Sequence, residues 1–382
     1  MAYAETYLGK DTPKLGFGMM RLPKLEDGSI DIEQVKEMVD IFMAAGLTYF
    51  DTAFVYDNGE SEIATRKALV ERYPRDSFTV TTKLNAWLGD PTEEEAKRQF
   101  EISRERLGVD YFDFYLLHAI QDNNWETYER YGLWDFVLSM KEKGLVKRWG
   151  FSFHASPELL EKMLTKHPEV DFIQLQVNYA DMDDPVNESR RCIEVAEAHG
   201  VPYTIMEPVK GGMLANPPRA VREVFDAANE ELGRSLSYAG WALRFAASQP
   251  GVICALSGMS NIEQTKDNVS FMGNFEPLSE AEAAVVARAQ DILASCEQIK
   301  CTGCHYCTEG CPMGIPIPDF FSAMNRKLVF ENEADAKRRY AYAVSKAGVS
   351  AADCIQCGQC EGACPQRLPI ISYLADVDAA LG

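Results

Sequence analysis

The feature that most constrains this chain is a cysteine pattern that occurs twice near its end. The first copy reads CTGCHYCTEGCP from Cys301 to Pro312, and the second reads CIQCGQCEGACP from Cys354 to Pro365. Of the eleven cysteines in 382 residues, nine lie at or beyond Cys296, and eight belong to the two motifs. Dense cysteines can form a disulfide framework, but such frameworks suit small secreted domains, and the opening MAYAETYLGKDTPK is not expected to direct export. We therefore expect the motif cysteines to bind metal.

The spacing C-x2-C-x2-C-x3-C-P is the one that binds 4Fe-4S clusters in two-cluster ferredoxins, where the fourth cysteine of each motif binds the other cluster. This crossing pattern predicts one cluster bound by Cys301, Cys304, Cys307 and Cys364, and a second bound by Cys354, Cys357, Cys360 and Cys311. Zinc fits less well, because zinc sites favour paired C-x2-C units with longer separations. The segment between the motifs has helix-like stretches without Gly or Pro inside, so we expect a small, mainly helical ferredoxin-like domain over residues 296–382.

Composition and charge narrow the classes of partner. Hydrophobic residues make up 46% of the chain and charged residues 25%, which is ordinary for a soluble globular protein. The formal net charge of −20 argues against nucleic acid and against an anionic membrane surface as partners. No apolar run reaches the roughly 18 residues that a membrane-spanning helix needs, so no contact with a membrane is expected. These properties predict a cytoplasmic protein.

Strand-like and helix-like segments alternate from about residue 14 to residue 272. The strand candidates are KLGFG, LTYFDT, FTVTTK, YFDFYLLH, VKRWGFS, DFIQLQV, PYTIME and GVICALS. Eight such repeats over roughly 250 residues predict a closed (β/α)8 TIM barrel, which we place in residues 1–295. A doubly wound open sheet is the alternative, but no G-x-G-x-x-G follows the first strand.

Four polar side chains stand at or just beyond the ends of successive predicted strands. Asp51 ends the second strand and Tyr56 lies in the loop after it, while Lys83 ends the third strand and His118 the fourth. Each residue alone has a structural explanation, but together they indicate catalysis, which in such barrels occurs at the carboxyl ends of strands. A nearby ammonium lowers the pKa of a phenol towards the operating pH of a general acid, Asp51 would orient Lys83, and His118 would fix a carbonyl oxygen.

The chain resembles the aldo-keto reductase family over nearly all of residues 7–272. The resemblance lies in GFGMMRLP, FDTAFVYDNGESE, TVTTKLNAW, DYFDFYLLHAI, KEKGLVKRWGFSFH, IQLQVNYAD, IMEPVKGGML and SGMSNIEQTKDN, in the family's order. It implies that Asp51, Tyr56, Lys83 and His118 are a catalytic tetrad for reduction of a small carbonyl, or oxidation of an alcohol, with a nicotinamide cofactor. With its cysteine motifs, the chain resembles the members fused to a 4Fe-4S ferredoxin domain, which are typical of anaerobic microbes.

The resemblance also implies a dinucleotide site. Its residues would be Ser152, Gln176 and Met206 at the nicotinamide end, and Ser257, Gly258, Ser260, Gln264 and Asn268 around the pyrophosphate and adenine. Phe153 stands where the family has Asn, and Met206 stands where an aromatic residue usually stacks on the nicotinamide. The usual Lys and Arg for a 2′-phosphate are missing from the last loop, so the choice between NADH and NADPH stays open. The sequence has no clear flavin fingerprint, yet it leaves a flavin open.

Hydride transfer moves two electrons, whereas a 4Fe-4S cluster passes one at a time. Three interpretations follow: barrel and clusters cooperate, with a ferredoxin or another redox protein as partner; the clusters are structural or sense redox state beside ordinary hydride reduction; or the chain is a ferredoxin-linked electron-transfer or redox-sensing protein whose barrel no longer performs nicotinamide-dependent reduction. The complete tetrad favours an enzyme, and we expect an iron–sulfur oxidoreductase.

Overall fold

The structure, a computed structural model, describes residues 12–87, 89, 91–301, 303, 305–364 and 366–382. Within these residues, eight parallel strands form a closed barrel in chain order. They are β1 Leu15–Gly18, β2 Tyr49–Asp51, β3 Thr79–Leu84, β4 Phe112–Ile120, β5 Val146–Phe153, β6 Phe172–Gln176, β7 Tyr203–Met206 and β8 Val252–Ser257. The pairing of β8 with β1 confirms the predicted barrel and shows that the open-sheet alternative is wrong.

Helices follow the strands. Their bounds are α1 Ile32–Ala44, α2 Glu60–Thr65 (continued by a π-helical turn, Arg66–Val70), α3 Glu93–Leu107, α4 Trp125–Arg130, α5 Leu133–Glu142, α6 Pro157–Lys166, α7 Ser189–His199, α8 Arg219–Glu231, α9 Tyr238–Ala247, α10 Ile262–Met272 and α11 Glu280–Ser295. Of these, α3, α5, α7 and α9 pack on β3, β5, β6 and β8. Polar side chains fix several starts. Asp31, Ser156 and Asn261 each accept a hydrogen bond from a first-turn N–H, and Thr92 and Glu95 form a capping box.

The inside of the barrel is filled by large side chains, and one glycine lets two strands come together. The ring centroid of Phe114 lies 5.0 Å from that of Tyr49 and 5.2 Å from that of Phe172, and all three side chains are fully buried. A Cβ atom on Gly150 of β5 would lie 1.7 Å from the carbonyl oxygen of Phe172 in β6. Because that distance is far below van der Waals contact, the pairing of β5 with β6 requires glycine at this position.

The chain divides into two compact units, one of Met1–Ala215 and Gly233–Val286 and one of Asn216–Leu232 and Ala287–Gly382. One division falls inside α11, between Val286 and Ala287, and the second unit also contains α8. The single boundary between residues 295 and 296 stays a prediction. The remaining helices are α12 Tyr306–Glu309, α13 Ile317–Phe330, α14 Glu333–Ala347, α15 Gln359–Ala363 and α16 Ile370–Leu381, so the carboxyl-terminal region is helical, as predicted. Across the described residues, no helix has the length and apolarity to cross a membrane.

A buried ion pair joins α9 to α11 in the first of these units, which contains the barrel and is called the barrel unit below. Glu282 accepts hydrogen bonds from Arg244 Nη1 at 2.6 Å, from Arg234 Nε at 3.0 Å and from the backbone N–H of Ser279 at 2.8 Å. Both Glu282 and Arg244 are buried. Burial alone would raise the pKa of Glu282, but the bonds from Arg244 and Ser279 outweigh it and lower the pKa to about 2.

We expect Glu282→Gln to lower the free energy of unfolding of the barrel by about 3 kcal/mol at pH 7, because it leaves Arg244 buried without a counter-charge. The contribution of Glu282 is complete above its ordinary pKa of 4.5 and is lost as the pH falls through about 2, so the difference between variant and wild type should narrow in that window. Tryptophan fluorescence during urea unfolding measures this, because all five tryptophans lie in residues 1–295. Glu280→Gln, an exposed position on the same helix, is the control, and equal effects of the two substitutions would contradict the assignment.

Candidate functional site

Lys83 is the centre of a buried polar cluster at the carboxyl ends of β2 and β3. Its Nζ atom lies 2.6 Å from Asp51 Oδ1, 2.7 Å from the carbonyl oxygen of Thr52 and 3.3 Å from the hydroxyl of Tyr56. The second carboxylate oxygen of Asp51 accepts a hydrogen bond from Gln174 Nε2 at 3.3 Å. Lys83 is fully buried and Asp51 nearly so. One ammonium thus bridges a carboxylate and a phenol.

His118 completes the group that the sequence predicts. Its ring is edge-on to that of Tyr56, with 5.6 Å between the centroids. The carbonyl oxygen of His118 accepts a hydrogen bond from Tyr128, whose hydroxyl also accepts one from the N–H of Ala86. Within the described part of the chain, Nδ1 of His118 is buried and has no hydrogen-bond partner. The structure therefore brings all four predicted residues together, and Tyr128 joins β4 to the segment that follows β3.

Burial determines the protonation states in this cluster. Burial raises the pKa of Tyr56 and outweighs the lowering by Lys83, so the net direction is opposite to the one that the sequence suggests. Burial and the charge of Lys83 hold the pKa of His118 well below its ordinary value. Burial also disfavours the charged form of Lys83, but Asp51 and Tyr56 together outweigh it and raise the pKa of that ammonium. The site thus presents a protonated phenol, a neutral imidazole and an ammonium.

The residues predicted for the nicotinamide end lie on adjacent strands. Ser152 is fully buried in β5, and its hydroxyl accepts a hydrogen bond from the N–H of Ala119 at 2.7 Å. Gln176 ends β6 and donates from Nε2 to Asp181 at 3.0 Å, and Met206 ends β7 directly opposite Gln176 in the strand pairing. The three side chains therefore come from neighbouring strand ends, and Ser152 also holds the chain that follows His118.

The residues predicted for the adenine end lie at the end of β8, on the loop that follows and on α10: Ser257, Gly258, Ser260, Gln264 and Asn268. Asn268 Nδ2 donates to Ser257 Oγ at 2.7 Å, and Gln264 Oε1 accepts from the N–H of Ser260 at 2.8 Å. Gly258 is exposed, as is Gln264. The loop is thus ordered by its own side chains.

Sequence reasoning missed Arg21, which stands just after β1. A Cβ atom on Gly258 would lie 3.4 Å from Arg21 Cδ, and one on Gly211 would lie 3.4 Å from an Arg21 terminal nitrogen. The side chain therefore lies between the loops that follow β7 and β8. It is exposed and forms no ion pair with any described residue. The sequence feature that could have identified Arg21 is its place in GFGMMRLP, where a basic residue closely follows the first predicted strand.

Glu207 is a second residue that sequence reasoning missed. It follows β7 in a left-handed backbone conformation, with φ of 55°, which is uncommon for a residue other than glycine. Its carbonyl oxygen accepts hydrogen bonds from Asn178 Nδ2 and from the N–H of Lys210, while Lys210 is ion-paired with the buried Asp181. The Glu207 carboxylate contributes to the raised pKa of Tyr56. Glu207 is therefore close enough to the Lys83–Tyr56 cluster to act on it electrostatically. No sequence pattern predicts a glutamate in the left-handed conformation, so sequence reasoning could not have found it.

The cysteines gather around two cavities in the carboxyl-terminal unit. Cys301, Cys307 and Cys364 line the first, and Cys311, Cys354, Cys357 and Cys360 line the second. Each cavity thus brings cysteines of one motif together with the fourth cysteine of the other. Cys304, the remaining predicted ligand, lies outside the described residues. Among those residues, no three His, Cys, Asp or Glu side chains form a site for a single metal ion, whereas the thiolates of a 4Fe-4S cluster each bind a different iron.

The two motifs also repeat one another in backbone conformation. Left-handed residues occur at three matching positions, with φ between 52° and 76°: Gly303 and Gln356, His305 and Gly358, and Gly314 and Arg367. Cys311 and Cys364 each accept a hydrogen bond on the carbonyl oxygen from the residue three positions on, at 3.0 Å in both motifs. The two motifs therefore share one backbone geometry, which His305, Gln356 and Arg367 adopt although non-glycine residues keep it at a cost.

Comparison with protein families matches residues 14–291 to the model of the aldo/keto reductase family. This chain belongs to the aldo/keto reductase family. Residues 300–368 match a 4Fe-4S dicluster domain, so the aldo/keto reductase barrel is followed by an iron–sulfur domain. Both parts of the resemblance found in the sequence, and the expectation of an oxidoreductase, are confirmed.

Individual relatives are distant. An uncharacterized oxidoreductase of Bacillus subtilis, YqkF, is 25% identical over 299 residues, which cover 71% of this chain and 90% of the relative. An aldo-keto reductase of Mycolicibacterium vanbaalenii is 28% identical, covering 72% of this chain and 87% of the relative. Among solved structures, an aldo-keto reductase of Klebsiella pneumoniae in complex with NADPH superposes with a TM-score of 0.59 at 21% identity, covering 72% and 90% of the two chains. That superposition supports the fold.

We expect the side chain of His118 to remain neutral around pH 6.5, because burial and Lys83 hold its pKa well below that value. An NMR titration of histidine-labelled protein measures this, with His118→Gln assigning the signal among the five histidines. A His118 signal that titrates near pH 6.5 would contradict the electrostatics of the site.

Proposed function

We propose that this protein reduces a small carbonyl compound in its barrel, with Tyr56 as the proton donor and a nicotinamide dinucleotide as the cofactor. We further propose that two 4Fe-4S clusters in residues 296–382 exchange electrons with a partner protein. The observation that carries the first proposal is the Lys83 ammonium, which contacts both the Asp51 carboxylate and the Tyr56 hydroxyl beside the ring of His118. Oxidation of the corresponding alcohol uses the same groups in reverse.

Each member of the group has a distinct task. Tyr56 donates its proton to the carbonyl oxygen, and Lys83 stabilises the negative charge that the phenol then carries. Asp51 keeps the ammonium in place and preserves its charge in a buried setting. His118 is neutral, so it orients the carbonyl oxygen by a hydrogen bond without competing as an acid. When bound, the dinucleotide supplies the hydride that reduces the carbonyl carbon.

The rim residues fit a dinucleotide. Ser152, Gln176 and Met206 stand at strand ends on one side, and the segment from Ser257 to Asn268, at the end of β8 and the start of α10, stands at the other. Arg21 adds a cation beside Gly258, where the sequence predicted none, and a guanidinium binds phosphate through two parallel hydrogen bonds. The Klebsiella pneumoniae structure that superposes on this barrel holds NADPH. NADPH and NADH are both candidates for this site, and the Arg21 experiment below separates them. No described feature calls for a flavin.

The cysteine cavities fit the clusters by donor chemistry, since thiolate is the ligand that iron–sulfur clusters take. We assign Cys304 as the fourth ligand of the first cluster, completing the set with Cys301, Cys307 and Cys364. When bound, the clusters supply one-electron transfer. We place the protein in the cytoplasm of an anaerobic cell, because reducing compartments keep cysteines available as ligands.

We expect Tyr56→Phe to lower kcat by about 10²–10⁴-fold, because the proton donor is lost while the surrounding packing is kept. The measurement is anaerobic turnover of small aldehydes and ketones with NADH or NADPH, together with iron content and the EPR spectrum of the reduced clusters, which should not change. Tyr111→Phe, at the opposite end of the barrel before β4, is the matched control. Full turnover by the Tyr56 variant would overturn the catalytic assignment.

We expect Arg21→Gln to weaken dinucleotide binding by about tenfold, the loss typical of one charge-assisted hydrogen bond. Anaerobic calorimetry with NADPH and with NADH separately measures this. A loss confined to NADPH assigns Arg21 to the 2′-phosphate, and an equal loss assigns it to the pyrophosphate. Lys143→Gln, an exposed cation at the end of α5, is the control, and unchanged affinity for both cofactors would refute a role for Arg21.

A further inference from the structure

Charge is distributed unevenly along this acidic chain. Residues 296–382 contain eight Lys and Arg against ten Asp and Glu, whereas residues 1–295 contain 30 against 48. Within the carboxyl-terminal unit, residues 326–346 carry six Lys and Arg against three Asp and Glu. Helix α14 supplies most of this segment. It is thus a basic segment in a protein whose net charge is −20.

The exposed face of α14 combines cations with an aromatic ring. Tyr342 is 68% exposed, and Lys337, Arg338 and Lys346 are exposed on the same helix. Lys346 forms no ion pair with any described residue. Tyrosine and arginine are enriched among the residues that dominate binding energy at protein interfaces. An exposed tyrosine among cations therefore has the composition of a contact surface.

The acidic residues beside this face do not cancel its charge. Asp335 lies within ion-pair distance of three guanidinium groups, those of Arg326, Arg338 and Arg339. Glu333 pairs with Lys337 at 2.8 Å and with Lys327 at 3.4 Å, and Glu331 is the third carboxylate. Two carboxylates are thus shared among five cations, and an excess of positive charge remains.

Helix α14 is tied to the turn that leads into the second cysteine motif. The hydroxyl of Tyr340 accepts a hydrogen bond from the N–H of Ala351 at 2.9 Å. Ser350 and Asp353 close the same turn as a capping box, and Cys354 follows directly. Ile355 and Cys357, in the loop that follows, are exposed, Ile355 to 60%. Helix α14 is therefore joined, through its buried Tyr340, to the turn that leads directly to the cysteines of the second cavity.

We propose that the exposed face of α14 is the docking surface for an acidic one-electron carrier protein, which exchanges electrons with the cluster bound by Cys354, Cys357, Cys360 and Cys311. The inference rests on the proposed iron–sulfur function. In each encounter the carrier loses one electron and the cluster gains it, with no bond formed or broken. Complementary charge raises the rate of such encounters and makes it sensitive to salt.

The test is anaerobic stopped-flow spectroscopy of the full-length protein with its clusters in place. A reduced acidic flavodoxin is the probe, because flavin absorbance separates the carrier from the clusters. We expect Arg338→Glu/Lys346→Glu to lower the second-order rate of cluster reduction about tenfold or more at low ionic strength. The neutral variant Arg338→Gln/Lys346→Gln should give a rate of cluster reduction between those of the wild type and the charge-reversed variant. High salt should bring the rates of the wild type and the reversed variant together, because it screens both the attraction in the one and the repulsion in the other.

The matched control is Lys67→Glu/Lys143→Glu, which makes the same change of charge at two exposed positions of the barrel unit. It should stay within about twofold of wild type, and dithionite, which needs no docking, should reduce all variants alike. An equal loss in both variants, or none in the α14 variant, would overturn the docking surface. Clusters that accept electrons from dithionite but not from the flavodoxin would also overturn it, leaving the proposed function intact. Failure of the proposed function is visible separately, as protein without iron or as full turnover by Tyr56→Phe.

Discussion

The site depends on the buried contact between Lys83 and Asp51. Removing two charges from water costs several kcal/mol for each ion, and the cost is offset when the geometry is close and the remaining donors and acceptors are satisfied. Here the contact is 2.6 Å, the ammonium also donates to the carbonyl of Thr52, and the carboxylate also accepts from Gln174. These partners come from β2, β3 and β6, so the pair is satisfied only because the strands close into a barrel.

The same burial gives the other two residues their chemical character. A phenol and an imidazole in water would carry their ordinary pKa values, but in this cluster burial favours the neutral form of each. Lys83 then acts in opposite ways on its two neighbours, since its charge favours the phenolate of Tyr56 and disfavours the imidazolium of His118. One ammonium therefore prepares a proton donor and keeps a second acid from forming beside it.

Sequence predicted the fold well, because strands of a parallel barrel are buried on both faces and read as separate apolar runs. Asp51, Lys83 and His118 were found because strand ends share one rim. The predicted direction of the pKa shift of Tyr56 was wrong, because the extent of burial cannot be read from a charge pattern. Arg21 and Glu207 were missed because their positions depend on how loops after distant strands meet. The roles assigned to the site residues stay predictions.

Each cavity contains a cysteine from the other motif, and this has a consequence for the whole of residues 296–382, called the tail here. Neither motif encloses a cavity with its own cysteines, because Cys364 lines the first and Cys311 lines the second. Helices α13 and α14 connect the motifs, so the spacing between the cavities is set by packed helices and not by slack chain. The tail is therefore indivisible. A chain that ended between Cys311 and Cys354 would lose Cys364 from the first cavity and would keep only Cys311 of the second. Neither cavity would keep its full set of cysteines, so both would be lost together.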